Sequence, residues 1–320
     1  ILFVFPGQGA QYRGMGHDVY ERHARARAIY EEACDVLSLD LKTLSFEDPG
    51  DELVLTRNTQ PALLTHHIAC LEAWREIGGD AIQPAMAAGH SLGEYSALVA
   101  AGALSFADAL RLVRRRGELM GTHGEGEMTA FTLDVDTLRP LADKHFCGIA
   151  GCNLPDQTVV GGRPEDLDAM GEEVLALYPR KRAVRLKTEG AFHTYYMVTA
   201  AQHFRAELDS VEMAQPAIRV LSNYTGGYHE PDPGVIKARL FFQLFHPVQW
   251  LQNLQTAVDD GTRTIVEFGG GIGTGETPAD KRPNLEGIVK KAFRRADQPP
   301  TYHAAINVDT IEATAGAIAG

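Results

Sequence analysis

Gly89-His90-Ser91-Leu92-Gly93 sets a serine between two glycines. The apolar Pro84-Ala85-Met86-Ala87-Ala88 precedes it, Glu94 to Ala101 follows with helical character, and Gly102 stands where a helix would stop. A strand that runs straight into a helix forces the residue between them into a tight, strained turn. The flanking positions are glycines because side chains there would strike neighbouring backbone, and the serine is left at the accessible tip. The chemistry this suits is nucleophilic attack by Ser91 through a covalent acyl-serine. A Gly-rich packing turn with a capping serine would carry the same five letters; the strand before and the helix after argue for the nucleophile.

A serine hydroxyl is almost wholly protonated near neutral pH and needs a base. Among twelve histidines, His90 and His193 compete for that part. Adjacent side chains in such a turn point different ways, which suits His90 to packing or support. His193 lies in Gly190-Ala191-Phe192-His193-Thr194, where an inserted segment returns to the main domain, and a residue there can face a cleft. The oxyanion of an acyl-transfer intermediate needs two donors. Leu92 N–H, at the start of the helix after the serine, is one. Gln8 N–H, in Pro6-Gly7-Gln8-Gly9 after the first strand, is the other, although that loop also reads as a simple β-to-α turn.

The elements that must hold these residues alternate. Ile1-Leu2-Phe3-Val4-Phe5 is a continuous apolar run, as in a strand covered on both faces. Helical spacing covers 17–37 and 61–78, with Pro61 in the first turn of the second. Ser105 to Asp108 resembles a capping box and opens a helix to about Met120. Gly124-Glu125-Gly126 reads as a linker. Strand candidates at Met128–Leu133, Gln157–Gly161 and Ala183–Leu186 and helices near 136–145 and 164–177 then suggest a β-α-β-β-α-β insert. Helices near 197–209 and 234–258 and strands at Val220–Asn223 and Thr264–Phe268 return to the main domain. The expected architecture is α/β: an α/β-hydrolase-like large domain with a parallel sheet over 1–124 and 190–320, carrying a small ferredoxin-like subdomain over 125–189.

A chain of 320 residues with 44% hydrophobic and 22% charged residues can bury a large core. Its net charge of −12 argues against nucleic acid as main partner. No apolar run approaches the roughly 18 residues of a membrane span, and no signal segment opens the chain. Cys34, Cys70, Cys147 and Cys152 form no CxxC pair and read as reduced thiols of a cytoplasmic protein. Cys147 and Cys152 alone make only half a metal site. The chain opens inside a strand, so a short leader is expected before Ile1.

Six motifs occur in order: Phe5-Pro6-Gly7-Gln8-Gly9, Asn58-Thr59-Gln60-Pro61-Ala62, Gly89-His90-Ser91-Leu92-Gly93-Glu94-Tyr95, Arg116-Gly117 with Met120, Gly190-Ala191-Phe192-His193 and Pro247-Val248-Gln249-Trp250. Together they resemble the malonyl-CoA:acyl-carrier-protein transacylases and the acyltransferases of polyketide synthases, over nearly the whole chain. The resemblance implies a Ser91–His193 dyad, with a main-chain carbonyl near Gln249 holding the imidazole, and an oxyanion hole from Gln8 and Leu92. It implies that Arg116 binds the malonyl carboxylate, a role that fits the two parallel donors of a guanidinium; taken alone, Arg116 could be a helix-surface residue beside Arg114 and Arg115. Asn153 and His90 fall at positions lining the site. Leu92 and Phe192 match malonyl-selective members, Phe192 filling the space of a 2-methyl group. Gly190 departs from their usual histidine and could open room for a hydroxyl or amino substituent, or have no effect.

A second departure is Glu267-Phe268-Gly269-Gly270-Gly271 followed by a charged stretch to Glu286, where the family has Glu-x-Gly-Pro-Gly. No Lys-Ser/Thr follows as in a phosphate loop, so a surface loop is expected. The implied donor is malonyl-CoA, with no bound cofactor. The implied acceptor is the phosphopantetheine thiol of an acyl carrier protein, in polyketide or fatty acid biosynthesis. Acidic carriers call for a basic docking surface: Arg180, Lys181, Arg182, Arg185 and Lys187 form one cluster, Lys290, Lys291, Arg294 and Arg295 another, and either could be a solvated face. Alternatives are a same-fold transacylase for hydroxymalonyl, aminomalonyl or carrier-to-carrier transfer, a serine hydrolase or thioesterase, and a non-catalytic carrier-binding module. A free-standing or trans-acting enzyme is expected, as a monomer or within a synthase assembly.

Overall fold

The computed structural model describes residues 1–294 and 296–319, the side chain of Ala319 excepted. Along the chain the strands are β1 (Leu2–Phe5), β2 (Met86–Gly89), β3 (Glu127–Phe131), β4 (Gly148–Leu154), β5 (Gln157–Gly162), β6 (Ala183–Leu186), β7 (Arg219–Val220), β8 (Thr264–Phe268) and β9 (Thr301–Ala305). The helices are α1 (His17–Arg22), α2 (Ala24–Leu37), α3 (Leu41–Phe46), α4 (Thr56–Glu76), α5 (Gly93–Ala100), α6 (Phe106–Thr122), α7 (Val135–Lys144), α8 (Pro164–Leu177), α9 (Val198–Ser210), α10 (Pro233–Gln243), α11 (Trp250–Asp259), α12 (Glu286–Ala292) and α13 (Val308–Ala319). The chain groups into two compact units. One holds Ile1–Gly117, Glu212–Leu221 and Ala257–Gly320; the other holds Glu118–Val211 and Ser222–Thr256.

The first unit is built on a parallel sheet in the order β7-β2-β1-β8-β9. β1 lies at its centre, and all four of its residues are buried, as the unbroken apolar run requires. Phe3 meets Trp74 of α4 and Phe268 of β8 edge-on, at 5.5 and 4.8 Å between ring centres. The helical stretch 17–37 is two helices, because His23 is extended (φ −118°). α4 starts at Thr56, five residues earlier than expected, and runs through Pro61. A proline has no N–H for the carbonyl four residues back. Here that carbonyl, of Arg57, accepts from Nη1 of Arg114 at 3.1 Å instead, so the helix survives its proline. Gly269 and Gly270 take positive φ (68° and 70°) and pack inward, Gly270 N–H donating to Nδ1 of His66 at 2.9 Å. Beyond them a surface loop is pinned by an Ile272–Arg282 bridge and a Thr277–Asp280 capping box.

The second unit contains an antiparallel sheet in the order β4-β5-β3-β6 with α7 and α8 in the crossovers, a ferredoxin-like β-α-β-β-α-β arrangement. Phe131, Leu138, Val160, Leu167, Met170 and Val174 form its core. β4 carries no clean alternation in the sequence because two glycines interrupt it and its pairing shifts register between Ile149 and Gly151 and between Cys152 and Leu154. The single helix expected over 234–258 is two, α10 and α11. Pro247 cannot donate to the carbonyl of Gln243. The next two amides leave the helix: Val248 N–H donates to Ala150 O at 3.0 Å and Gln249 N–H to Asn223 O at 2.9 Å.

Among the described residues no helix is long and apolar enough to cross a membrane, and no group of three or more His, Cys, Asp or Glu could hold a metal ion.

Candidate active site

β2 delivers the chain to Ser91 and α5 carries it away, within the first unit. Ser91 has a positive φ of 51°, a conformation that costs free energy for a residue with a Cβ and that marks a strained turn held by its surroundings. The glycines make that turn possible. A Cβ on Gly93 would lie 2.1 Å from Phe5 O, and one on Gly89 would lie 1.8 Å from the Gly93 carbonyl carbon. Leu92 is the N-cap of α5 and buried, so its amide belongs to the first turn, where helix amides have no intrahelical acceptor. The β1 loop runs beside this turn: His90 N–H donates to Phe5 O at 2.9 Å, and a Cβ on Gly7 would meet His90 O at 2.8 Å and its Nδ1 at 3.1 Å. His90 is therefore a packed residue of the turn. Gln8 sends its side-chain Nε2 to Thr56 Oγ1 at 3.2 Å, which ties the β1 loop to the start of α4.

Arg116 comes from α6 and is 1% exposed, while its neighbour Arg115 is exposed; it is no surface residue. Gly117 lets α6 approach α4, since a Cβ there would lie 2.6 Å from Thr56 O. Nη1 of Arg116 donates to Gln60 Oε1 at 2.8 Å and Nη2 to Ser91 Oγ at 3.1 Å. The guanidinium carbon stands 5.6 Å from the Tyr95 ring centre. Burial pushes the Arg116 guanidinium down from its ordinary value, with Tyr95 and Glu94 opposing that shift. Burial in turn pushes the Tyr95 hydroxyl well up.

In the second unit His193 is 6% exposed and also has a positive φ, 61°. Its N–H donates to Leu244 O at 3.1 Å, and its ring Nδ1 lies 2.7 Å from Gln243 O. A carbonyl only accepts, so Nδ1 carries the proton and Nε2 presents its lone pair. The expectation of a carbonyl near Gln249 is corrected here. Gln243 O holds the ring, because Pro247 cannot claim that carbonyl for the helix, whereas Gln249 serves the break between α10 and α11. Phe192 is buried beside His193. Gly190 opens no room: the place of its Cβ lies 2.9 Å from Gly124 Cα and 3.3 Å from Phe192 Cε1, so close backbone approach is what calls for glycine. Asn153 sits half-buried near the end of β4.

The basic residues divide. Arg180 and Arg182 are exposed before β6, Lys181 is half-buried, and Lys187 is exposed after it. Arg185 is engaged with Glu127 (3.2 Å) and Asp168. In the other cluster Lys290 pairs with Glu286 at 2.6 Å, and Arg295 lies outside the described residues. Two participants had no role assigned from sequence. Gln60 stands in the Asn58–Ala62 motif, and Gln243 was marked only by the proline four residues later.

Comparison with known proteins matches residues 2–269 to the acyl transferase domain family. The malonyl CoA-acyl carrier protein transacylase of Bacillus subtilis (strain 168) is 39% identical over 304 residues, 92% of this chain and 91% of that protein. The crystal structure of malonyl CoA-acyl carrier protein transacylase from Clostridium perfringens superposes with a TM-score of 0.89 at 28% identity, covering 99% of this chain and 96% of that one. A type II PKS acyl-carrier protein in complex with its malonyl-transacylase gives a TM-score of 0.87 at 31% identity, covering 99% of both chains. An elbow serine beside a buried arginine, on a sheet and insert shared along the full length with these proteins, places the chain in the malonyl CoA-acyl carrier protein transacylase family of acyl transferase domains.

Proposed function

We propose that the chain moves a malonyl group from CoA, through an ester on Ser91, to the phosphopantetheine thiol of an acyl carrier protein. The observation that carries this reading is the 3.1 Å hydrogen bond from the buried Arg116 guanidinium to Ser91 Oγ. In a malonyl thioester one methylene separates carboxylate from carbonyl, so the two carbons stand roughly 2.5 Å apart by standard bond lengths and angles. A carboxylate on Arg116 then leaves its carbonyl carbon beside Ser91. Longer diacids overshoot, and acids without the carboxylate forgo the bidentate contact.

His193 takes the Ser91 proton at Nε2 as Oγ bonds to the thioester carbon. The C–S bond breaks, and the CoA sulfur leaves with that proton. In the second half-reaction the carrier thiol gives its proton to His193 and bonds to the acyl carbon, and Ser91 Oγ departs and recovers the proton. Leu92 and Gln8 amides stabilise the oxyanion in both halves. Gln243 O steadies the imidazolium. These steps use only protein groups, and both CoA thioesters and reduced thiols suit a cytoplasmic setting. Asn153 and Gln249 are assigned to the walls of the site, and Arg180, Lys181, Arg182 and Lys187 to the carrier surface. The backbone beside Gly190 favours plain malonyl over hydroxy- or aminomalonyl.

Intact-protein mass spectrometry with malonyl-, methylmalonyl-, hydroxymalonyl- and acetyl-CoA tests this. A malonyl mass on the wild type that is absent from Ser91→Ala and discharged by a phosphopantetheinylated carrier is expected. Release of free malonate at the same rate with and without carrier would instead identify a hydrolase.

A further inference from the structure

The turn of α4 that carries Gln60 is held from outside its own helix. Pro61 gives no N–H to Arg57 O, and Nη1 of Arg114 fills that place at 3.1 Å while also donating to Asn58 Oδ1 at 2.6 Å. Asn58 in turn donates its Nδ2 to Glu52 O at 3.0 Å. Residues two apart on a helix project about 200° apart, so Arg114 and Arg116 leave α6 on opposite sides. Arg114 borders a cleft of about 290 Å³ with Asp48, Glu52, Arg57 and Asn58. Arg116 points inward to Gln60 and Ser91. The contacts thus form a circuit: from Arg114 on α6 to Arg57 and Asn58 on α4, along one turn to Gln60, and back to Arg116 on α6.

We propose that Arg114 is a positioning residue for the carboxylate-binding arginine. It supplies the donor that the proline cannot, fixes the 57–60 turn, and so fixes the Gln60 oxygen that orients Arg116. The inference rests on Arg116 being the partner of the malonyl carboxylate. A loosened turn lets the Gln60 amide drift, and the guanidinium then meets the carboxylate at a poorer angle, where a planar fork loses most. Reaction of an acyl group without a carboxylate does not use that fork.

The test measures acylation of Ser91 by malonyl-CoA and acetyl-CoA in Arg114→Leu, Arg114→Lys, Gln60→Ala and the Arg114→Leu/Gln60→Ala double variant, each with its melting temperature. Arg114→Leu should lower kcat/KM for malonyl-CoA about tenfold, chiefly through KM, and leave acetyl-CoA unchanged. Arg114→Lys should recover most of the loss, because a single nitrogen makes the two bonds to Arg57 and Asn58. The double variant should be no worse than Gln60→Ala alone. Equal losses with both donors, additive losses in the double variant, or a folded Arg114→Leu protein with unchanged malonyl kinetics would overturn the inference. Failure of the underlying reading has a different signature: Arg116→Ala would then impair both donors alike.

Discussion

At the scale of single residues the decisive group is a guanidinium in the interior. The hydrogen bonds Arg116 makes to Gln60 and Ser91 go to neutral oxygens, and a carboxylate would add two anionic acceptors in the same fork. Arg116→Ala should therefore lower kcat/KM for malonyl-CoA by about 10²–10³-fold, the range for truncating one partner of a buried charged pair, while an acetyl adduct on Ser91 still forms; parallel mass spectrometry with the two donors checks both halves. Ser91, His193 and Arg116 were open to proposal from the sequence because each is a side chain whose proposed chemistry requires that residue type. Gln243 was not, because its part is played by a backbone carbonyl, which every residue has. Gly190 left two readings open in the sequence for a related reason: an absent side chain looks like space until the chain segment beside it, at Gly124, is known.

At the scale of elements, the start of α4, the split between α10 and α11 and the irregular β4 were misjudged for one shared cause. Their backbone hydrogen bonds are completed by groups distant in sequence: Arg114 extends α4 through Pro61, Ala150 and Asn223 separate α10 from α11, and bulged pairing disguises β4. Local periodicity carries no trace of such partners. The parallel sheet and the two-layer insert were legible, because β1, β5, α7 and α8 bury whole faces and must show it in their patterning. In the proposed mechanism the break after α10 has a use that can be tested. Pro247→Ala would return an N–H within reach of Gln243 O, in competition with His193 Nδ1. The expected result is a fall in kcat of about tenfold, as for a displaced general base, with KM for malonyl-CoA and the melting temperature little changed.

Over the whole molecule, pH enters stability through Glu267 on β8. Its carboxylate is fully buried and accepts from Asn284 N–H at 2.8 Å, Leu285 N–H at 3.0 Å and the Tyr302 hydroxyl. Burial outweighs these bonds and pushes the carboxyl up from 4.5 to about 7. Between those values the folded chain holds a proton that the unfolded chain has released. The contribution is complete below pH 4.5 and is lost as pH rises through about 7, on the order of 3 kcal/mol in all. Glu267→Gln should start less stable, since its amide turns N–H groups toward backbone donors, and its deficit in melting temperature relative to the wild type should shrink as pH rises from 4.5 to about 7; melts of both proteins at several pH values decide it. The order of the parallel sheet has a further consequence, for synthesis on the ribosome. β1 emerges first, yet its neighbours are β2, more than eighty residues later, and β8, at Thr264–Phe268. The most apolar strand of the sheet therefore waits with both edges open for more than eighty residues and with one edge open until β8 is made, so nascent chains are expected to be held by chaperones that shield exposed strands.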